Sequence, residues 1–265
     1  MLSEHVITTT DIIGSNTQKI INDFVGETSS NSIQKIVYFL QNNFSIDVTD
    51  DKDIINGYNH DWSNMKGRAD ALCRPRSKIE CAIVMRVCYK QKIPITISAG
   101  MTNLTGSATP NGGIIISITK MDEIGMIDSI NNEIDCSPGT YLENLRDHVI
   151  QESNNTLIFP VDPTSRKEAM VGGSISCNAS GFTPGEKGAM RYWVNGIELI
   201  LTNGEMITVS RKQYISKNGC FIINYSNGDE SIIKIPTYNR VNLKNASGPY
   251  SASNGAMDFI DLIVG

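Results

Sequence analysis

Two stretches of the chain hold residue types that could cradle a phosphorylated heterocycle. The longer runs from Phe159 to Glu198, FPVDPTSRKEAMVGGSISCNASGFTPGEKGAMRYWVNGIE, dense in Gly, Ser, Ala and Pro and without a long apolar run. Gly172 and Gly173 leave its backbone open to close approach, because no side chain stands in the way. Pro160 and Pro163 lead into it, Thr164, Ser165, Ser174 and Ser176 supply hydroxyls, and Asn178 supplies an amide. Taken alone, this composition fits a tight surface loop without a ligand as well as it fits a binding surface. The second stretch, Ser98-Ala99-Gly100-Met101-Thr102-Asn103-Leu104-Thr105-Gly106-Ser107-Ala108, tips that balance toward binding. A strand that ends in small and hydroxyl residues presents successive backbone N–H groups to one concavity, an anion nest suited to a pyrophosphate. The stretch departs from the G-x-G-x-x-G dinucleotide fingerprint, because a β-run over 113–119 follows it and not a helix, which excludes an ordinary Rossmann site.

Composition narrows the classes further. The chain has 265 residues, 40% hydrophobic and 19% charged, with a formal net charge of −5. That is an ordinary globular balance, and no basic stripe appears that would suit nucleic acid. The apolar runs fall short of the ~20 residues of a membrane helix. The start, MLSEHVITTTDII, lacks the basic n-region and apolar h-region of a secretory leader. Cys73, Cys81, Cys88, Cys136, Cys177 and Cys220 form no C-x-x-C pair, so reduced thiols in a reducing, cytoplasmic compartment are expected. His5, His60 and His148 lie far apart without ligand spacing, so no metal site is expected, and each histidine reads as a surface or core residue. The acidic run at Asp50-Asp51-Lys52-Asp53 reads as a solvated face and not a calcium loop.

The elements that must position the two stretches follow from periodicity. Ile33, Ile36, Val37 and Leu40 predict an amphipathic helix over 32–42, and the polar segment 47–66 predicts mostly loop. Residues 1–65 read as a helical and irregular lead-in. Ala69 to Arg74 predicts a strand running into a turn at Pro75. A capping box of Ser77 and Glu80 then opens a helix with an apolar stripe of Ile79, Ala82, Ile83 and Val87, ending at Lys92. Residues 93–100 predict a buried strand, 112–121 another, and 124–129 and 133–136 two short ones. Thr140 and Glu143 predict a second capping box, before a helix whose core face is Leu142, Leu145 and Val149. Asn203-Gly204 predicts a hairpin between two apolar runs. Residues 211–250 read as less regular, with 225–229 a loop insertion.

Several ordered strings carry a resemblance: R-P-x-S at 74–77, ITISAGMTNLTGSATPNGGI, SPGTYLENL, FPVDPTS, VGGSISCNASG and KGAMRYWVNGIELILTNGE. Together they resemble the FAD-binding domain of the PCMH-type flavoproteins related to vanillyl-alcohol oxidase. Within that family the sequence is most similar to the flavin subunit of glycolate oxidase and to D-lactate dehydrogenases. The resemblance covers roughly 65–265 and implies an α+β fold, two subdomains with mixed sheets and flanking helices clasping FAD, with residues 66–265 as the FAD-binding domain. It implies a pyrophosphate loop at Ser98, Ala99, Gly100, Met101, Thr102, Asn103, Thr105 and Gly106. Pro163, Thr164, Ser165, Met170, Gly172, Gly173 and Ser174 would meet the ribose, pyrophosphate and flavin side. Cys177, Asn178, Ala179 and Ser180 would form a further flavin-contacting segment, and Gly196 and Ile197 would meet the adenosine half.

This sequence departs from the family pattern in places. R-G-G-G-T-G becomes Ser98-Ala99-Gly100-Met101-Thr102-Asn103, and T-R-D keeps Arg191 but has Tyr192 at the acidic position. Met101 stands where covalently flavinylated members carry His, so the FAD is expected to be non-covalent. The string DFIDLIVG at 258–265 resembles the start of the family's D-L-x-x-G-S-E-G-T-L-G. A truncated member is therefore expected, without the substrate domain, with catalytic residues unassigned, and inactive by itself. The activity implied is hydride removal from the α-carbon of a small 2-hydroxy acid such as glycolate or D-lactate, with an electron-acceptor protein or partner subunit possible. Two alternatives stand beside it: a non-catalytic flavin or electron-transfer subunit, and a flavin reductase of the same fold acting on a nucleotide-sugar enol ether.

Overall fold

Three consecutive isoleucines, Ile114, Ile115 and Ile116, are fully buried: Ile114 and Ile116 enter the first core, while Ile115 packs in a smaller cluster with Ile55, Ala69 and Leu72. The computed structural model describes residues 5–27, 32–235 and 255–265. In chain order the elements begin with β1 (Val6–Thr8), α1 (Ser15–Glu27), α2 (Ile33–Phe44), β2 (Val48–Thr49), α3 (Lys52–Asn56), β3 (Ala71–Cys73), α4 (Lys78–Gln91), β4 (Ile95–Ser98) and β5 (Ile114–Ser117). There follow β6 (Ile124–Asp128), β7 (Glu133–Cys136), α5 (Leu142–Glu152), α6 (Val171–Ser176), α7 (Met190–Trp193), β8 (Gly196–Ile200), β9 (Met206–Ser210), β10 (Cys220–Asn224), β11 (Glu230–Lys234) and α8 (Phe259–Ile263). Helices and mixed sheets together make the expected α+β fold.

The first sheet has the order β2-β3-β5-β4, with β3 and β4 both parallel to β5 and β2 antiparallel to β3. Its covering helices α1, α2 and α4 bury Ile21, Ile36, Leu40, Ala82, Val84 and Val87 against it. α4 is the crossover between parallel β3 and β4, so the expected strand–helix–strand is present. Its start is capped as read: Ser77 Oγ accepts from the Glu80 N–H at 3.2 Å, and a Glu80 carboxylate oxygen accepts from the Arg76 N–H at 2.9 Å. Lys92 closes it in the left-handed region at φ 54°.

The second core gathers Ile7, Leu142, Leu145, Val161, Ile207, Phe221 and Phe259. β1 pairs in parallel with β10, and β10 pairs antiparallel with β11, so the first strand joins a sheet completed by residues 220–234. The turn of the β8–β9 hairpin rests on α4. There Arg86 Nε donates to the Asn203 carbonyl at 2.9 Å and its Nη1 meets Asp11 at 2.7 Å.

Several sequence expectations need correction. The segment 47–66 is mostly loop as expected, but it also holds the short β2 and α3, with Asp51 capping α3 by accepting from the Asp53 N–H. Ile79 is 50% exposed and lies off the apolar stripe, which instead includes Val84, Met85 and Cys88. β4 is not buried throughout: it is an edge strand, and Ile97 is 48% exposed. Thr140 caps nothing. Tyr141 is the N-cap of α5 without a side-chain bond, Thr140 Oγ1 donates to the Glu123 carbonyl, and Glu143 pairs with Arg166. Residues 225–229 are no insertion but the turn between β10 and β11, with Gly228 at φ 87° and its N–H donating to the Tyr225 carbonyl. The Asn203-Gly204 turn has the same form, Gly204 at φ 81° and its N–H on the Leu201 carbonyl. Both are three-residue loops in which the glycine takes the left-handed position. The remainder of the less regular stretch, 236–250, lies outside the described residues.

Candidate functional site

The two stretches singled out by composition meet in space. β4 delivers Ser98, fully buried opposite Ser117 of β5, and the chain then turns at Ala99 and Gly100. A Cβ on Gly100 would overlap the Glu168 carbonyl oxygen, and one on Gly173 would stand 3.2 Å from the Ala99 Cβ. Glycine at position 100 is therefore what lets the backbone of the first loop lie against the second.

The second stretch is held rigidly. The Arg166 N–H donates to the Pro163 carbonyl at 3.1 Å and the Ala169 N–H to the Ser165 carbonyl at 2.7 Å, which winds 163–169 into a tight turn. The Arg166 guanidinium fixes that turn to α5 through Glu143 at 2.6 Å and to Asp162 at 2.7 Å. Pro163 is buried, Ser165 half-buried and Thr164 exposed. Met170 is the N-cap of α6 and bridges to Tyr141. Asn178 follows α6 at φ 43°, and its Oδ1 accepts from the Arg191 N–H at 2.9 Å. Ala179 and Ser180 continue it: the Ala179 N–H donates to the Ser174 carbonyl at 2.8 Å, and Ser180 bridges to Ala189.

The first loop is supported from a segment outside the two stretches that composition singles out. Asp61, 2% exposed, accepts from the Ala108 N–H at 3.2 Å, the Ser63 N–H at 2.9 Å and the Ser63 hydroxyl at 2.5 Å. Burial alone would push its carboxyl up, but the bonds from Ser63 and Ala108 outweigh it and hold it below the usual carboxylate range. Asn103 Oδ1 accepts from the Thr105 and Ser107 N–H groups, both at 3.1 Å, and the Met101 carbonyl accepts from the Trp62 N–H at 3.1 Å. Met101 itself sits at φ 54°. The Asp-Trp-Ser pattern at 61–63, an Asx turn, was the signal that could have marked Asp61.

Three buried polar side-chain atoms of these stretches have no partner among the described residues: Ser98 Oγ, Ser174 Oγ and Asn178 Nδ2. Asn178 Oδ1 is committed to a backbone N–H, so the unpaired end is the NH2 group, which can only donate. Leaving such a group buried costs about 1–3 kcal/mol each. Two hydroxyls and an amide that lack acceptors suit a ligand rich in acceptor oxygens and nitrogens, as a pyrophosphate joined to a flavin ring is. FAD fits this donor set.

Gly196 and Ile197 belong to β8, paired with Ser210 and Val209, and take no part in the contacts that join the two loops. Cys177 is exposed as a residue at the end of α6, but its sulfur is partly shielded from water, and that desolvation pushes the thiol up. All six cysteines are free thiols. His148 is engaged on the surface of α5, with Glu152 at 2.8 Å and the Gly125 carbonyl at 3.2 Å. Among the described residues no cluster of three His, Cys, Asp or Glu could hold a metal, and no helix is long and apolar enough to cross a membrane.

A family model described as an FAD binding domain matches residues 69–210. The chain belongs to this family. Residues 98–106 and 163–180 both lie inside the match. Among curated proteins, the FAD-binding domain is 32% identical over 170 residues to a probable mitochondrial D-2-hydroxyglutarate dehydrogenase of Oryza sativa subsp. indica, covering 62% of this chain and 30% of the rice protein. It is 31% identical over 173 residues to a D-lactate dehydrogenase of Anaerostipes hadrus, 65% of this chain and 36% of that one. It is 29% identical over 169 residues to the glycolate oxidase subunit GlcD of Bacillus subtilis (strain 168), 63% and 35% respectively. The chain thus spans about a third of the length of these relatives. Solved structures share the fold. p-Cresol methylhydroxylase with substrate bound superposes with a TM-score of 0.54 at 20% identity over 75% of this chain and 36% of that one. 6-Hydroxy-D-nicotine oxidase from Arthrobacter nicotinovorans superposes with 0.55 at 21% identity over 69% and 37%. The PCMH-type resemblance and the FAD cofactor read from the sequence both stand.

Proposed function

We propose that this FAD-binding domain serves the oxidation of a small 2-hydroxy acid of the glycolate or D-lactate type. In this reading FAD lies along the wall formed by Ser98–Gly106 and Pro163–Ser180, with Gly196 and Ile197 toward the adenosine half. One observation carries the placement: three buried, unpaired donors, Ser98, Ser174 and Asn178, fall on the two segments that pack together inside the family match. The names of the relatives, D-2-hydroxyglutarate dehydrogenase, D-lactate dehydrogenase and glycolate oxidase subunit, support the substrate class.

When bound, FAD supplies the two-electron acceptor for the hydride leaving the acid's α-carbon. The protein's own residues bind and orient. The hydroxyls of Ser98 and Ser174 and the Asn178 amide donate to acceptor atoms, and the close approach of Gly100 to Glu168 keeps the two loops at fixed separation. The Arg166 guanidinium is committed to Glu143 and Asp162. In this reading backbone N–H groups, and not that cation, meet the phosphates. FAD is held without a covalent bond: Met101 cannot form a histidyl link, and the Cys177 thiol is pushed away from its nucleophilic thiolate form. A partner subunit or electron-acceptor protein accords with the relative named as a subunit. The six free thiols favour a cytoplasmic location.

The test is anaerobic mixing of the full product of the gene, loaded with FAD, with glycolate, D-lactate and D-2-hydroxyglutarate. Loss of flavin absorbance with one of these acids, and none with the matching acid lacking the 2-hydroxyl, is expected. Reduction by a phenol or a sugar and by no 2-hydroxy acid would contradict the reading.

A further inference from the structure

Asn178 does more than line the wall. Its Oδ1 holds the Arg191 N–H, so the residue that offers its amide to a ligand also fixes the backbone of α7. Arg191, 8% exposed, is held through both its backbone and its side chain. Its N–H is on Asn178, its carbonyl accepts from Arg211 Nη2 at 2.8 Å, and its own Nη2 donates to the Val264 carbonyl at 2.5 Å. Asp261 of α8 stands 3.9 Å from Arg191 Nε and 2.5 Å from Arg211 Nη1. Asp258 adds a tie, accepting from the Ile260 N–H at 2.9 Å and the Lys212 N–H at 2.6 Å. The buried faces of Phe259, Ile260 and Val264 complete the docking of this segment in the second core. A continuous, buried run of hydrogen bonds therefore leads from an unpaired amide in the cofactor wall to α8.

We propose that Arg191 is a positioning residue that couples occupation of the cofactor wall at Asn178 to the docking of residues 258–264. The inference rests on the placement of FAD given above. An acceptor of the cofactor that pairs with Asn178 Nδ2 locks the amide, and with it the Arg191 backbone whose side chain holds Val264. Coupling of two sites through shared contacts is reciprocal, so the docked segment tightens cofactor binding by the factor that the cofactor tightens docking.

Hydrogen exchange with and without saturating FAD tests this on the protein itself. In the wild type, FAD slows exchange at 98–106, at 171–180 and at 259–264. Asn178→Asp keeps the acceptor for the Arg191 N–H but removes the amide donor. It should weaken FAD at least tenfold and, at saturating FAD, abolish the added protection at 259–264 while keeping it at 98–106. Arg191→Met should speed exchange at 259–264 without FAD and weaken FAD about tenfold, and Arg191→Lys should restore part of both. FAD protection confined to 98–106 and 171–180 in the wild type would overturn the coupling and leave the site standing. Bound FAD that protects none of the three segments would overturn the placement and the coupling together. An Asn178→Asp protein indistinguishable from wild type in affinity and in protection of 259–264 would also overturn the coupling.

Discussion

At the scale of single residues, the first loop carries a conformational cost at one place. Met101 holds φ 54°, where a side chain costs about 1–2 kcal/mol and glycine almost nothing. Met101→Gly gives back part of this through the greater freedom of the unfolded chain. The net expectation is a gain of about 0.5–1 kcal/mol, read from the midpoint of urea unfolding; a loss of stability would show that the Met101 side chain holds the loop by packing. Cys177 supports a second expectation. Its thiol is pushed up by burial and no histidine stands in the loop, so the acid-precipitated protein should show the mass of the bare chain. A flavin adduct would contradict non-covalent binding. Residue types were legible here to the extent that their chemistry is local: small residues and hydroxyls announce a surface open to phosphate. Asp61 was not legible as a support, because a lone carboxylate in a polar segment looks like a solvated one until Ala108 is brought to it from 47 positions away.

At the scale of elements, α4 shows what periodicity can and cannot give. Its start and stop were written locally, by Ser77, Glu80 and Lys92, and lie where the sequence placed them. Its buried face was misread at Ile79, because a helix covered on one side by α1 and α2 and touched on another by a hairpin has no single clean stripe. Arg86 is the residue whose charge would put it in solvent, although its spacing from Ile79, Ala82 and Ile83 puts it on their face of the helix. It is instead 8% exposed, bonded to Asp11 and to the Asn203 carbonyl, and it fastens the β8–β9 turn to the first core. Removing one partner of a buried ion pair costs about 3–5 kcal/mol, since the other charge is left without compensation. Arg86→Met should approach that loss in denaturant unfolding, with Asp11→Asn losing less because Arg86 keeps its bond to Asn203. A cost below about 1 kcal/mol for Arg86→Met would mean the pair behaves as an exposed one. The turn at 225–229 was missed although Asn227-Gly228 repeats the Asn203-Gly204 signal, because the runs beside it are short and half-buried.

At the scale of the whole molecule, long-range pairings hold parts distant in sequence, and pH probes them. Asp47 meets Arg74 at 2.9 Å and Lys120 as well, joining the start of β2 to the ends of β3 and β5. Burial would raise its carboxyl, but hydrogen bonds from Arg74 and Lys120 outweigh that and hold it below the usual range. A carboxyl lowered in the fold binds its proton more weakly there than in the unfolded chain. Its contribution is thus complete above the unfolded value of ~3.9 and lost as pH falls through the folded one. The stability difference between wild type and Asp47→Asn should therefore be largest near neutrality and shrink as pH drops below about 4. A difference that grows on acidification would contradict this.

The central claim, that FAD rests on the wall of buried unpaired donors, is tested most directly by titrating FAD into wild type and Ser98→Ala/Ser174→Ala. Without FAD the double variant should be at least as stable as wild type, because two buried hydroxyls lacking partners are gone. Each lost bond to a charged or polar cofactor atom is worth about 1.5–3 kcal/mol, so its dissociation constant should rise on the order of 100-fold or more. An equally stable variant that binds FAD as tightly as wild type would place the cofactor elsewhere.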